Sequence, residues 1–295
     1  MDQAEQLRNI IKMKEKPKHV ARVITVTSGK GGVGKTSLSV NLALELKKIG
    51  KRVVILDADF GLANIEVMLG IRPKYNLADV IFQNKKIKEI ITEGPNGIGF
   101  ISAGSGINEL ANLTREQIFY LTQILSELDQ IADVIVIDTG AGIADSVLEF
   151  VAASSEVLLV ATPEPTSITD AYALLKTLNQ KAEFVKNNTT IKMVANRVKN
   201  NKEGEAVYQK IKTVVDKFLN INVGYLGAVP DDTSVSKAII QQKPLTLAYP
   251  STAASAAIQT LARALNDNKL YEQKERKGIS QLFIKVLKFK EKVDE

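Results

Sequence analysis

The sequence predicts a doubly wound α/β architecture: a mostly parallel sheet with helices on both faces. Two observations carry that expectation. Short runs recur that are almost continuously apolar and β-branched, as strands buried on both faces of a parallel sheet are, and between them lie segments with the length and period of helices. In chain order the strands are expected at 22–28 (RVITVTS), 52–59 (RVVILDAD), 98–104 (IGFISAG), 133–139 (DVIVIDT), 156–162 (EVLLVAT), 191–198 (IKMVANRV) and 223–230 (VGYLGAVP). The segments SLSVNLALELKKIG, TREQIFYLTQILSELDQ, SITDAYALLKTLNQ and EAVYQKIKTVVDKF read as helices. No repeat and no linker rich in Gly, Pro or Ser interrupts the alternation. One domain is therefore expected from about 21 to 270, flanked by separable segments at 1–20 and 271–295.

A chain of 295 residues, 45% hydrophobic and 24% charged, can bury a sizeable core and is neither disordered nor low-complexity. Its lack of cysteine excludes a disulfide framework, thiol catalysis and cysteine-ligated zinc or iron–sulfur centres. The one histidine, His19, leaves little for metal or proton-shuttle chemistry. A net charge of +6 favours anionic partners without choosing between lipid and nucleic acid. The opening MDQAEQLRNIIKMKEKPKHV lacks the apolar core of a signal peptide, and no apolar run reaches the ~18 residues of a membrane span. The chain is expected to be cytoplasmic, or at most to lie on a membrane.

Between the first strand and the first helical segment stands Gly29-Lys30-Gly31-Gly32-Val33-Gly34-Lys35-Thr36, followed by Ser37. It matches the phosphate-binding pattern G-x-x-x-x-G-K-[ST] in the strand-to-helix context that the pattern requires. Glycines let backbone N–H groups turn toward phosphate oxygens, and the helix start adds the positive end of its dipole. Lys35 supplies a point charge, and Thr36 is placed to ligate Mg²⁺. Three carboxylates end expected strands at the edge where open α/β sheets bind ligands: Asp57, Asp59 and Asp138. Asp138 closes an entirely apolar strand, where a carboxylate is costly unless it faces a metal or strong donors.

The early lysine of KGGVGKT, Lys30, is not required by the ordinary motif. With it, the loop resembles the deviant Walker A ATPases of the MinD/ParA type, a SIMIBI family of P-loop NTPases that use ATP/ADP and Mg²⁺. The resemblance covers about 21–265. It implies that Lys30 crosses a nucleotide-sandwich homodimer to touch phosphate in the other subunit, so Lys30 and Lys35 join the catalytic set. It further implies that Asp59 orients the attacking water, that Asp57 lies beside the Mg²⁺ shell with Thr36, and that Asp138 is the Walker B aspartate. Asn196, Arg197, Pro230 and Asp231, with Asp232, resemble the family's adenine-contacting positions. Asp232 reads equally well as a cap for the helix that follows.

Branches of the family that need thiolates are excluded by the missing cysteines. The segment DADFGLANIEVMLGI, with Gly61, Leu62 and Asn64, resembles MinD more than ParA, and most of all the FlhG (YlxH) branch, the MinD-like regulators of flagellar number and placement. In that branch a terminal DQAxxLR element stimulates the signal-recognition-type GTPase FlhF. Here Asp2, Gln3, Ala4, Leu7 and Arg8 match it, which with the core resemblance favours the FlhF-activating role; the alternative is a short polar terminus with no such role. The branch also implies contact with flagellar C-ring or switch components.

On a helix over 278–290, Ile279, Leu282, Phe283, Val286 and Leu287 form one apolar stripe at i, i+3, i+4, i+7 and i+8, flanked by Lys285, Lys288, Lys290 and Lys292. It resembles the membrane-targeting helix of MinD-like proteins and is too short to span a bilayer. The alternative is a terminal helix packed on its own domain. The expected protein is thus a dimerising ATPase, cytoplasmic and peripherally associated with an anionic membrane surface. A ParA-like DNA-partitioning ATPase and an ATP-dependent kinase or metabolic enzyme are the alternatives, although a nucleic-acid partner is not favoured.

Overall fold

The computed structural model describes residues 19–59, 64–102, 104, 114–187, 189–267 and 278–291. The N-terminal residues Asp2, Gln3, Ala4, Leu7 and Arg8 lie outside that set, as do Gly61, Leu62 and the side chain of Leu287.

The strands are β1 (Arg22–Ser28), β2 (Val53–Ala58), β3 (Thr92–Glu93), β4 (Gly99–Ser102), β5 (Val134–Ala141), β6 (Glu156–Ala161), β7 (Thr190–Val198) and β8 (Val223–Pro230). They form one sheet in the order β3-β4-β2-β5-β1-β6-β7-β8. Every neighbouring pair is parallel except β3 and β4. β3 is a two-residue antiparallel edge that the sequence reading did not anticipate, since two residues carry no periodicity. The long segments predicted as strands all form strands.

Between them run α1 (Lys35–Lys48), α2 (Asn64–Leu69), α3 (Leu77–Phe82), α4 (Ile87–Ile90), α5 (Arg115–Ser126), α6 (Leu128–Ile131), α7 (Asp145–Ala153), α8 (Pro165–Gln180), α9 (Ala182–Asn187) and α10 (Asn201–Phe218). After β8 follow α11 (Thr233–Ile240), α12 (Leu245–Ala248), α13 (Ala253–Asn266) and α14 (Gly278–Glu291). Side chains that alternate along a strand sort onto the two faces of the sheet. On β5, Val134 and Val136 join the core under α1 and α13, while Ile135 and Ile137 join the opposite core. On β6, Leu158 and Val160 belong to the first face, and Val157, Leu159 and Ala161 pack under α7, α8 and α10. Strands buried on both faces have no polar side, which is why their sequences run nearly unbroken in apolar residues.

All the parallel strands point their carboxyl ends to one edge. β5 and β2 flank β1 on one side and β6, β7 and β8 lie on the other, so the strand order reverses at β1. Open α/β sheets take ligands at such a crevice.

The C-terminal helix departs from the expectation of a separable tail. Ile279, Leu282, Phe283 and Val286 are 0%, 3%, 4% and 5% exposed, and they complete the apolar core formed by β1, β5, α5 and α7. Phe283 meets Phe150 of α7 edge-on, with ring centroids 5.5 Å apart and an interplanar angle of 84°. The helix is thus packed on its own domain, and the stripe read as membrane-facing is the face that docks. Periodicity identifies an apolar face but not what covers it.

Candidate functional site

β1 runs into the glycine loop at Ser28, and α1 starts at Lys35. Two of the glycines are dictated by their surroundings. A Cβ on Gly29 would lie 2.1 Å from the carbonyl carbon and oxygen of Asp170, so α8 packs backbone to backbone against the loop. Gly34 has φ +96°, and a Cβ there would lie 2.5 Å from Asn196 Nδ2. The same Asn196 Nδ2 donates to the Val33 carbonyl at 2.7 Å, which ties β7 to the loop.

Lys35 is buried, and burial lowers its pKa, with partial compensation from the charges of Asp138 and Asp59. Asp57 and Asp138 stand opposite each other in the β2–β5 register. Both Asp57 oxygens accept backbone N–H groups, from Asp59 at 3.1 Å and from Ile65 at 3.3 Å. Burial and the neighbouring Asp138 nevertheless push its pKa up to about 7. Asp138 is fully buried, and burial raises its pKa to about 6, opposed by the hydroxyls of Thr36 and Ser39 and the charge of Lys35. Its Oδ1 accepts from Ser39 Oγ at 2.9 Å, whereas Oδ2 receives no hydrogen bond. Asp59, at the end of β2, is fixed through Oδ2 by Asn64 Nδ2 at 2.9 Å. A Cβ on Gly140 would sit 3.2 Å from Asp59 Oδ1, so β5 leaves room there for that carboxylate.

This donor set fits Mg²⁺. Carboxylate and hydroxyl oxygens suit a hard cation, and an orphaned buried carboxylate oxygen is stabilised by one. Among the described residues no group of three or more His, Cys, Asp or Glu side chains could hold a metal by itself.

Beside the loop opens a cavity of about 540 Å³. Gly34 and Ser37, Thr162, Pro163 and Glu164, Asn196 and Arg197, and Pro230, Asp231 and Asp232 all line it. The volume suits a nucleotide-sized ligand. Four strand ends that are distant in sequence thus converge on one cleft, including all the residues expected at the base. Arg197 sits at φ +58°, a left-handed conformation that is unusual for a side chain of this size. Asp232 resolves as a helix cap: its Oδ1 accepts from Ser234 N at 2.9 Å.

Lys30 is paired within its own chain, with a residue that lines the cavity. Its Nζ is 2.6 Å from Glu164 Oε2 and 2.7 Å from Thr166 Oγ1 of the same chain, and the lysine holds the Glu164 carboxyl below the usual glutamate range. Glu164, Thr166 and Ser39 were not among the residues singled out from sequence. Glu164 follows β6, so the strand-end logic that selected Asp57 and Asp138 also applies to it. Ser39 lies one helical turn past Lys35, a position that only packing of α1 on β5 makes relevant.

A family model described as ParA: NUBPL iron-transfer P-loop NTPase matches residues 19–266. The chain is 44% identical over 248 residues to the antiactivator FleN of Pseudomonas aeruginosa, covering 84% of this chain and 87% of that one. It is 34% identical over 301 residues to the flagellum site-determining protein YlxH of Helicobacter pylori, covering 98% and 99%. Among solved structures, the MinC:MinD cell division protein complex of Aquifex aeolicus contains a chain 28% identical to this one, with a TM-score of 0.65 and coverage of 83% and 96%. With a family model matching residues 19–266 and relatives 34–44% identical over most of its length, the chain belongs to the ParA/MinD family of P-loop NTPases.

Proposed function

We propose that this chain is a Mg-ATP-dependent ATPase of the MinD type that alternates between a monomer and a membrane-associated ATP dimer and regulates the number or placement of flagella. The nucleotide part is carried by one observation: the loop that brings Lys35 beside the buried, half-satisfied Asp138 also borders, through Gly34 and the adjoining Ser37, a nucleotide-sized cavity. The flagellar part is supported by the relatives named as an antiactivator and as a flagellum site-determining protein.

In this reading the backbone of Gly29–Thr36 and Lys35 hold the phosphates, and Asn196, Arg197, Pro230 and Asp231 border the base. Thr36, Asp57 and Asp138 would hold Mg²⁺, which when bound neutralises charge on the phosphate oxygens. Asp59, steadied by Asn64, accepts a hydrogen bond from the attacking water and orients it. Lys30 leaves Glu164 and reaches the phosphate bound by a second copy. A cation supplied in trans contributes ~10³–10⁵ in rate in related chemistry, so hydrolysis waits for the dimer.

The membrane step requires the C-terminal helix to undock. Its four buried apolar side chains contribute about 1.5–3 kcal/mol each to docking, roughly 6–12 kcal/mol gross. Insertion of the same stripe, Leu287 included, into an anionic membrane surface recovers part of that. Two helices on one dimer raise the apparent affinity by ~10²–10⁴. The N-terminal Asp2, Gln3, Ala4, Leu7 and Arg8 are assigned to stimulation of the FlhF GTPase, and flagellar C-ring proteins are further partners.

The test uses purified chain, Mg-ATP and anionic liposomes. The hydrolysis rate per chain should rise with protein concentration, and sedimentation with liposomes should require ATP. Lys30→Ala should bind ATP yet show a flat, low rate; a retained concentration dependence would refute the trans role. A peptide of residues 1–20 should accelerate GTP hydrolysis by FlhF, and the absence of stimulation by peptide or full chain removes that partner.

A further inference from the structure

At the edge of the sheet opposite the cavity, both ends of the described chain meet one residue. Asp129, on α6, is 2% exposed. Its Oδ1 accepts the backbone N–H of Ala21 at 3.2 Å and that of Ile279, in the first turn of α14, at 3.4 Å. His19 Nδ1 donates to the Asp129 carbonyl oxygen at 2.7 Å. His19 Nε2 lies 3.2 Å from Asp133 Oδ1, and the Asp133 carboxylate is held in turn by the Arg52 guanidinium and backbone N–H. Gly278, which opens α14, has φ +58°, and a Cβ there would sit 2.5 Å from Asp129 Oδ2. The helix start is therefore seated directly on this carboxylate.

A buried carboxylate is tolerated only while donors satisfy it, and an anion at a helix N-terminus is favoured by the helix dipole. Asp129 draws its donors from two segments far apart in sequence. When one segment leaves, water enters beside a carboxylate that also holds the other, and the remaining hydrogen bond loses its dry surroundings. Such coupling is reciprocal by thermodynamic necessity.

We propose that Asp129 couples the two ends of the chain, so that holding of His19–Ala21 and docking of the C-terminal helix stabilise each other. A partner that draws the N-terminal segment away from Asp129 then loosens the helix, and release of the helix frees the N-terminal segment. This extends the functional reading, which assigns one end to a protein partner and the other to a membrane. Its test uses neither partner, membrane nor nucleotide, so it fails or holds independently of that reading.

The test uses the full chain and two readouts. His19→Ala removes contacts to Asp129 and Asp133 without touching the apolar stripe. It should raise hydrogen exchange at amides 280–286 by about three- to tenfold, the effect of losing one hydrogen bond. In the reciprocal arm, Phe283→Glu undocks the helix and should shift the imidazole resonance of His19, the chain's single histidine. Gly278→Ala provides a milder version, because its new methyl group displaces the helix start without burying a charge; it should move both readouts together. Unchanged helix exchange in His19→Ala would overturn the proposal. So would a His19 resonance that stays in place while either helix variant accelerates exchange at 280–286.

Discussion

Replacing Phe283 by alanine asks whether the C-terminal helix is a releasable element. The ring is 4% exposed and packs edge-on against Phe150 at 5.5 Å. Truncating a buried phenylalanine costs about 3–5 kcal/mol, of which an edge-to-face pair accounts for about 0.5–1.5 kcal/mol. That loss falls on a docking energy of roughly 6–12 kcal/mol gross for four apolar side chains. Ordering the helix opposes docking by about 1–2 kcal/mol of backbone entropy per residue, offset in part by helical hydrogen bonds. The net docking energy is therefore well below the gross figure, and losing the ring should exhaust most of it. Amide exchange at 280–286 is expected to accelerate by at least about 10²-fold, at 1.4 kcal/mol per factor of ten. β1 and β5 should keep their protection, and the urea midpoint of the remaining domain should move little. If the helix amides instead exchange only with global unfolding, and the midpoint drops by the full cost of a core truncation, the helix is an integral part of the core and the release step is wrong.

Three further outcomes follow from the site and the sheet edge. Lys35→Ala should abolish nucleotide binding in calorimetry, whereas Asp59→Ala should bind ATP, accumulate the dimer in size exclusion and lose hydrolysis, because Asp59 is assigned to the chemical step alone. Asp138→Asn should stabilise the ligand-free fold at pH 8 by about 1–3 kcal/mol while losing Mg-ATP binding. The sign follows from a folded-state pKa raised to about 6: the ionised form is disfavoured in the fold, so the difference from the parent should vanish below about pH 4, where Asp138 is protonated in both states. Asp133 behaves oppositely, since hydrogen bonds from Arg52 lower its pKa to about 2. Its stabilisation is present above the ordinary carboxylate range and is lost as pH falls toward 2. Arg52→Ala should flatten the acid limb of the stability curve by about 1 kcal/mol, a figure reduced for the partial exposure of the pair.

Much of the cleft was legible in the sequence because parallel strands advertise themselves. Strands buried on both faces must be apolar throughout, so the polar residues that end them, Asp57, Asp59, Asp138, Asn196 and Asp231, stand out against that background. The glycine loop is equally legible, since its backbone conformation and the close approach of Asp170 and Asn196 leave no room for side chains at Gly29 and Gly34. Glu164 escaped notice because no local pattern separates a strand-end carboxylate that pairs with Lys30 from one that only faces solvent. Ser39 escaped because a hydroxyl inside an apolar helix gains meaning only when α1 settles on β5 with Asp138 beneath it.

By itself, then, the amino-acid sequence determined the alternation of strand and helix, the phosphate loop and the existence of an amphipathic C-terminal helix. All three follow from periodicity and backbone sterics that act over a few residues. Only the tertiary structure decided how the ends are used. The stripe of Ile279, Leu282, Phe283 and Val286 is as well suited to a bilayer surface as to a protein groove, and its choice depends on apolar surface that α5, α7 and β5 supply from elsewhere in the chain. Likewise, whether Lys30 is free or held, and whether Asp129 faces water or both ends of the described chain, depends on contacts between residues more than a hundred positions apart. Side-chain spacing carries no record of those distances.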